Sequence, residues 1–465
     1  MLVLPLRKLF KSWDIKKRMP SLGPNQILVL AGTSDLAVQN AFANLRSFFS
    51  DGDWLAPNNC YRVDTTNRIE SDCNNSSINH TDLSQYIAAS TLLHCNDGWN
   101  YLSRALSSHM RCDPASARHL AYYAELRAAM SLLATVGIGI FNKQHFVLYG
   151  NGVCHKINGT THEMVWKCLE SWADHSMLSS SFLVAELIQV NGRTLNDWLN
   201  AFSQGGNPNI IAKKWLKTWG LDIQRLSADH DSRNEASYRP SRLNFVSPLN
   251  VLDTSKFVHN LWSICEPSGS AGFSYIDRHI LRLSLEMLFE AITGDPPSNN
   301  HHGFEERITR MFTSIGDTSI ATNSLLKNFL TRRSEPNNPI VFDEAHKQSN
   351  TNDPRHHLQV ISRASLLLRV ATASCSYMIQ SANVTINDLN FWWQPMGEER
   401  GLWTSENLPE NLTDLWEDIN IEIEKIKNWE NENSTGASYE QWHRDCYPSS
   451  SMLSCCEMIG LWGLG

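Results

Sequence analysis

The sequence has no Cys-x-x-Cys pair, although it holds 11 cysteines in 465 residues. Its closest two, Cys455 and Cys456, are adjacent and poorly placed to clamp one metal ion with both sulfurs. That usage reads as reduced thiols of a cytosolic protein rather than a disulfide framework. Apolar runs of about 18 uninterrupted residues are also lacking, which excludes a membrane-spanning helix. The opening MLVLPLRKLFKSW carries an apolar run too short for a secretory signal, with its charges after the run. Without such a signal the sequons at Asn79, Asn158 and Asn383 are expected to be chance. There is no Gly-x4-Gly-Lys-Ser/Thr loop, so the helicase-like string Asp343-Glu344-Ala345-His346 lacks the phosphate cradle it would need, and Gly32-Thr33-Ser34 lacks the lysine. No Gly-x-Ser-x-Gly elbow occurs, which removes the commonest hydrolase signature, and no repeat of fixed period is present. Positive charge is in deficit: 40 Lys and Arg against 48 Asp and Glu, a net charge of -8. A broad nucleic-acid-coating surface is therefore excluded, though a local basic groove is not.

What is present is a globular composition, 42% hydrophobic and 19% charged, with 16 tryptophans that serve as core or interface anchors. The chain is long enough for two or three domains. Its clearest element is Ala117 to Ile140, ARHLAYYAELRAAMSLLATVGIGI. Leu120, Tyr123, Ala124, Arg127, Ala128, Ser131 and Leu132 recur at helical spacing, and the alanines let another helix approach closely. A second long helix of small and β-branched residues is expected over His357 to Ile379, and the two long helices are expected to be equivalent centres of separate bundles. Further helices are expected at Asp82–Cys95, Gly98–Arg111, Thr161–Ala173, Leu195–Phe202 and Tyr275–Thr293; Asp113-Pro114 starts the helix that holds 117–136, a β-like piece, HFVLYGNGV, follows it, and Gly205-Gly206-Asn207-Pro208 breaks the pattern. Residues 24–49 admit a strand and turn or a helix starting at Ser34; residues 50–80, rich in Asp, Asn, Ser and Thr, read as a mobile loop. Pro240 and Pro248 mark a boundary near 240–250. The expected fold is mainly α: two helical-bundle domains with a short β-like hairpin inserted. The divisions are an N-terminal segment 1–81, a helical domain 82–245 and a second helical domain 246–465.

Metal sites are weakly indicated. The pairs His301-His302 and His356-His357 are adjacent in sequence, and neighbouring helical side chains diverge by about 100°. Nothing in the pattern calls for a metal or a cofactor. Cys154-His155 lacks a third residue to orient it as a thiol nucleophile. Arginine with histidine on one helix is more suggestive. An arginine can hold a phosphate by two parallel bonds, and a nearby histidine can act as acid or base in RNA cleavage through the 2′-hydroxyl. Arg104-x4-His109 and Arg225-x4-His230 have that spacing, but a chain with 17 histidines produces such strings by chance. A further string runs Asp231-Ser232-Arg233-Asn234-Glu235-Ala236-Ser237-Tyr238.

The paired-tyrosine helix AYYAELRAAMSLLATVGIGI, the following histidines His145 and His162, and the later Arg233-Asn234-x3-Tyr238 string together resemble the HEPN superfamily. The pattern is similar to its YaaC-like and abortive-infection branches and covers residues 82–242. The resemblance implies a four-helix-bundle domain of a prokaryotic phage-defence or toxin–antitoxin system. In active members the string is Arg-polar-x3-His. Here Arg233 and Asn234 match, and Tyr238 stands where histidine would be; a phenol with a pKa near 10 is a poor base at neutral pH. The candidate site residues are thus Arg233, Asn234, Tyr238, His230, Arg104 and His109.

Three readings follow. The first in weight is a non-catalytic HEPN-like subunit in the cytoplasm that binds a partner protein or a second copy, and RNA besides. It predicts an exposed aromatic patch and no convergent acid–base pair. The alternative is a metal-independent RNase effector, which predicts arginine and histidine converging within about 4 Å. The Arg225, Arg233, Arg239 and Arg242 neighbourhood favours it. The third is a small-molecule sensor with a pocket lined by Tyr122, Tyr123 and Trp166.

Overall fold

A computed structural model describes residues 21–174, 180–204, 210–240, 250–267, 272–316, 320–348, 353–433 and 437–464. The chain is mainly α there. Helices α1 (Pro24–Leu30), α2 (Asp35–Phe49) and α3 (Thr65–Asn75) lead into α4 (His80–Met110) and α5 (Pro114–Thr135). Strands β1 (Ile138–Ile140), β2 (Gln144–Leu148) and β3 (Cys154–Asn158) form an antiparallel sheet in that order, with Ile138 opposite Val147 and Leu148 opposite Cys154. Next come α6 (Thr161–Asp174), α7 (Ser180–Glu186), the short pair β4 (Gln189–Val190) and β5 (Arg193–Thr194), α8 (Leu195–Ser203), α9 (Ala212–Thr218) and α10 (Ile223–Tyr238). The rest is helical: α11 (Val251–Ile264), α12 (Ser274–Thr293), α13 (His301–Ile315), α14 (Ile320–Leu330), α15 (Ile340–His346), α16 (His356–Ser381), α17 (Asn390–Glu399), α18 (Leu415–Glu432), α19 (Tyr439–Met452) and α20 (Glu457–Trp462).

The centre of the molecule is α16, buried at every position from His356 to Cys375. A helix apolar or small on all faces must be enclosed by others, and α4 and α5 enclose this one. The two long alanine-rich helices are therefore not centres of separate bundles; they pack on each other. Thr135 Oγ1 meets Ser374 Oγ at 2.7 Å, and Ser131 Oγ meets Cys375 Sγ at 3.4 Å. Trp99 Nε1 on α4 donates to Thr372 Oγ1 at 2.9 Å. Buried charges on α16 are matched: Arg369 holds Asp277 of α12 at 2.6 and 3.0 Å, and Arg363 holds Asp229 of α10. The division expected at 245 falls within 241–249, outside the described residues, and helices from both sides of it belong to one apolar cluster.

Several local expectations change. The two helices expected at Asp82–Cys95 and Gly98–Arg111 are one 31-residue helix, α4, capped by Asn79. Gly98 does not break it. A Cβ there would stand 2.6 Å from Leu368 Cδ2 and 3.4 Å from the Ala124 carbonyl, so glycine is what lets α4 approach α5 and α16. Residues 24–30 are helical, not a strand, with Pro24 in the first turn, and Ser34 caps α2 by accepting from Ala37 N at 3.2 Å. The polar stretch 50–80 is ordered about Asp72, whose buried carboxylate accepts from Tyr61 Oη at 3.0 Å and pairs with Arg68 at 3.1 Å. The β-like piece is borne out as β2 and β3, and the α5 start at Asp113-Pro114 as an Asp113 cap on Ser116 N. The Gly205-Gly206-Asn207-Pro208 break and the opening residues 1–20 lie outside the described residues. No helix among the described residues is long and apolar enough to cross a membrane.

Candidate functional site

The outer edge of α5 meets the start of α6 and the middle of α10. Gly137, at φ 90°, turns the chain out of α5 into the sheet, which returns it to α6. His145 fixes that return. Its Nδ1 accepts from Phe141 N at 3.1 Å, so Nε2 carries the proton and donates to the Gly159 carbonyl at 3.0 Å. Thr161 Oγ1 donates to the Phe141 carbonyl at 3.0 Å. His162, in the first turn of α6, is thereby set against α5.

Four side chains converge there. His162 Nε2 lies 3.2 Å from Arg233 Nη2, and its Nδ1 lies 2.9 Å from Tyr122 Oη. Because a guanidinium only donates, Nε2 is the acceptor; the neutral ring carries its proton on Nδ1 and donates it to Tyr122. His230 stacks on His162, ring centroids 4.9 Å apart at 28°. The Arg233 guanidinium lies over the rings of Tyr122 and Tyr123 at 5.5 and 5.4 Å. It is 9% exposed, and its buried Nε donates to no protein atom. His119 completes the rim, with Nδ1 at 2.8 Å from Ser237 Oγ.

Burial, the neighbouring His230 and the Arg233 cation hold His162 down at about 4. Burial and Arg233 lower His230 as well, against a small opposing pull from Asp231. Burial raises the Tyr122 phenol. Both histidines are therefore neutral at pH 7, and Arg233 is the permanent positive charge beside them.

The sequence-derived residues are divided by this geometry. Arg233 and His230 come together, and Asn234 sits half-buried next to Arg233 on α10. Tyr238, the last residue of α10, is 83% exposed and takes part in none of the contacts described for the cluster. Arg104 and His109 do not meet: Arg104 is exposed beside Tyr101, whereas His109 is buried with Nδ1 at 3.0 Å from His357 Nε2. Five positions along a helix turn a side chain through about 140°, so residues separated by four others face apart. The same turn separates Arg225, which donates to the His346 and Lys347 carbonyls, from His230. His162 and Tyr122 complete the site from other helices, and no linear spacing encodes that meeting. The only signal was the tyrosine pair and a histidine just past the sheet.

Other suggested chemistry resolves into packing. His356 and His357 open α16 and are buried there, and His155 stacks on Tyr149 with ring centroids 4.0 Å apart. Tyr122 and Trp166 are both buried, with ring centroids 6.4 Å apart. Two grooves, of about 630 and 470 Å³, lie elsewhere, along α13 and between α12 and the 296–301 turn. Among the described residues no group of three or more His, Cys, Asp or Glu side chains converges as metal ligands. The chain matches no protein-family model, no curated protein and no solved structure.

Proposed function

We propose that the protein acts on RNA, as a metal-independent endoribonuclease whose site is Arg233, His162, His230 and Tyr122. The observation that carries this reading is the 3.2 Å contact between Arg233 and His162, with a second histidine stacked behind it and an unused arginine donor alongside. His162 and His230 supply, from the space around Arg233, the histidine that the Arg233-Asn234-x3-Tyr238 string lacks.

A phosphodiester entering the site takes the Arg233 guanidinium by charge-assisted bonds. That frees the His162 Nε2 lone pair, which Arg233 otherwise occupies. His162 removes the 2′-hydroxyl proton, the 2′-oxygen forms its bond to phosphorus, and the bond to the 5′-oxygen breaks. The proton for that leaving oxygen comes from His230, whose side chain is 33% exposed and lies 3.8 Å from Asp231. The phosphate charge raises the pKa of His230 and makes it the acid.

A second reading, a binding subunit that performs no chemistry, is favoured by one observation: in the free protein the His162 lone pair is already taken by Arg233. In that reading Arg233 and the tyrosines bind RNA or anchor a partner protein or second copy of the chain. By the resemblance drawn from its sequence, either role belongs to phage defence or toxin–antitoxin regulation. Incubation of purified protein with total RNA in excess chelator distinguishes them. Cleavage lost in Arg233→Ala and in His162→Ala or His230→Ala supports the nuclease. Binding lost in Arg233→Ala without cleavage by any form supports the binding subunit, and neither binding nor cleavage contradicts both.

A further inference from the structure

One turn along from the site, α5 and α10 meet again through two carboxyl groups. Tyr122 faces Arg233, and three and four residues away Glu125 faces Asp229; both carboxyls are fully buried, at 0% exposure. Asp229 receives Arg363 from α16 at 2.9 Å from Nε and 2.6 Å from Nη2. Glu125 Oε1 stands 3.6 Å from the same guanidinium, beyond hydrogen-bonding distance, and neither of its oxygens accepts a hydrogen bond from the protein. Two buried like charges with one guanidinium within bonding reach are costly, and a buried carboxylate without donors costs more still. Among the described residues, the charged or titratable groups facing the pair are Arg363 and His356 of α16 and Arg118 and Tyr122 of α5. His356 Nε2 is 3.6 Å from Asp229 Oδ1, and burial with Arg363 and Arg118 keeps that imidazole neutral, near 3.

We infer that Glu125 and Asp229 hold one proton between them, Glu125 as the acid and Asp229 as the anion, and that this pair sets α10 against α5 and so positions Arg233 at His162. Arg363 with one carboxylate is then a neutral unit, the arrangement a buried site favours. Burial and mutual repulsion raise Glu125 well above the ordinary carboxylate range, in the same sense. Glu125 and Asp229 are positioning residues; neither touches the phosphate. The consequence for activity rests on the RNA reading above, whereas the shared proton does not.

Infrared spectroscopy of the full chain at neutral pH tests the proton directly. A protonated-carboxyl C=O band is expected, and it is expected to vanish in Glu125→Gln. That variant should keep the parent melting temperature and the parent His162 and His230 proton resonances, because an amide N–H donates to Asp229 as the acid does. Asp229→Asn should lose the band, since Glu125 must ionise to face Arg363, and should shift both histidine resonances. No band in the parent, or a band that survives Glu125→Gln, overturns the shared proton. Histidine resonances unmoved in folded Asp229→Asn overturn the positioning role. Should the band and resonances behave as stated while Arg233→Ala leaves RNA cleavage and binding untouched, the RNA reading fails and the shared proton stands.

Discussion

His162 gives its ring proton to Tyr122 Oη at 2.9 Å and takes a hydrogen bond from Arg233 Nη2 at 3.2 Å. The pair Tyr122–His162 therefore fixes the tautomer of a histidine whose other nitrogen is aimed at the permanent positive charge of Arg233.

Removing the phenol hydroxyl tests that arrangement. Tyr122→Phe keeps the buried ring but leaves His162 Nδ1–H without its acceptor, which costs about 1–3 kcal/mol. Urea unfolding reads the stability loss. RNA cleavage should fall by roughly tenfold or more, because an imidazole in the wrong tautomer no longer presents Nε2 as a base. Unchanged cleavage in folded Tyr122→Phe would remove Tyr122 from the site.

The buried histidines set how stability varies with pH. Burial lowers His109 to about 4, His356 to about 3 and His145 to about 4, against about 6.5 in the unfolded chain. Between these values the unfolded chain binds more protons than the folded one, so stability rises with pH and is lost as pH falls below about 6.5. Unfolding free energies measured at pH 7, 6 and 5 should decline, each such histidine contributing up to about 1.4 kcal/mol per pH unit below 6.5. Glu125 acts oppositely, since its raised pKa gives stability that is lost as pH rises through the folded value. The His109→Gln variant should flatten the acid side of the profile.

Gly98 is a packing glycine, and alanine, the better helix former, should harm the protein there. A Cβ at that position meets Leu368 Cδ2 at 2.6 Å. Overpacking of this kind costs about 1–3 kcal/mol. A stabilised Gly98→Ala protein would contradict the close contact of α4 with α16.

Helix α20, near the C-terminus, is part of the core. Met458, Ile459, Leu461 and Trp462 of α20 are buried, Trp462 Nε1 donates to the Cys265 carbonyl at 3.2 Å, and Glu457 bonds to Ser103 of α4. Trp462→Ala should lower stability by about 3–5 kcal/mol in urea unfolding. A loss below about 1 kcal/mol would show that α20 is not held as described.

Helices were legible in the sequence wherever spacing and caps agreed. Asp113-Pro114 marked the start of α5, and the periodicity of Tyr275–Thr293 marked α12. Gly98 misled, because a glycine that stops a helix and a glycine that admits a neighbour look alike in one dimension. The polar stretch before α4 misled because Asp72 is buried against Tyr61 and Arg68, a tertiary satisfaction that composition does not register. At the site, Arg233 and His230 were recognisable, three residues apart on one face of α10. His162 was not, since it reaches Arg233 from another helix across 71 residues. Fixed-spacing arguments also brought in Arg104 and His109, which the turn of α4 sends to surface and core respectively.

The chemistry of the RNA ends tests the central claim most directly. Cleavage by His162 and His230 through the 2′-oxygen leaves a 2′,3′-cyclic phosphate on one product and a 5′-hydroxyl on the other. RNA treated with the full chain in excess chelator is predicted to carry those ends, and RNA treated with His162→Ala is predicted to lack them. Products ending in 3′-hydroxyl, or cyclic ends produced equally by His162→Ala, would contradict the account.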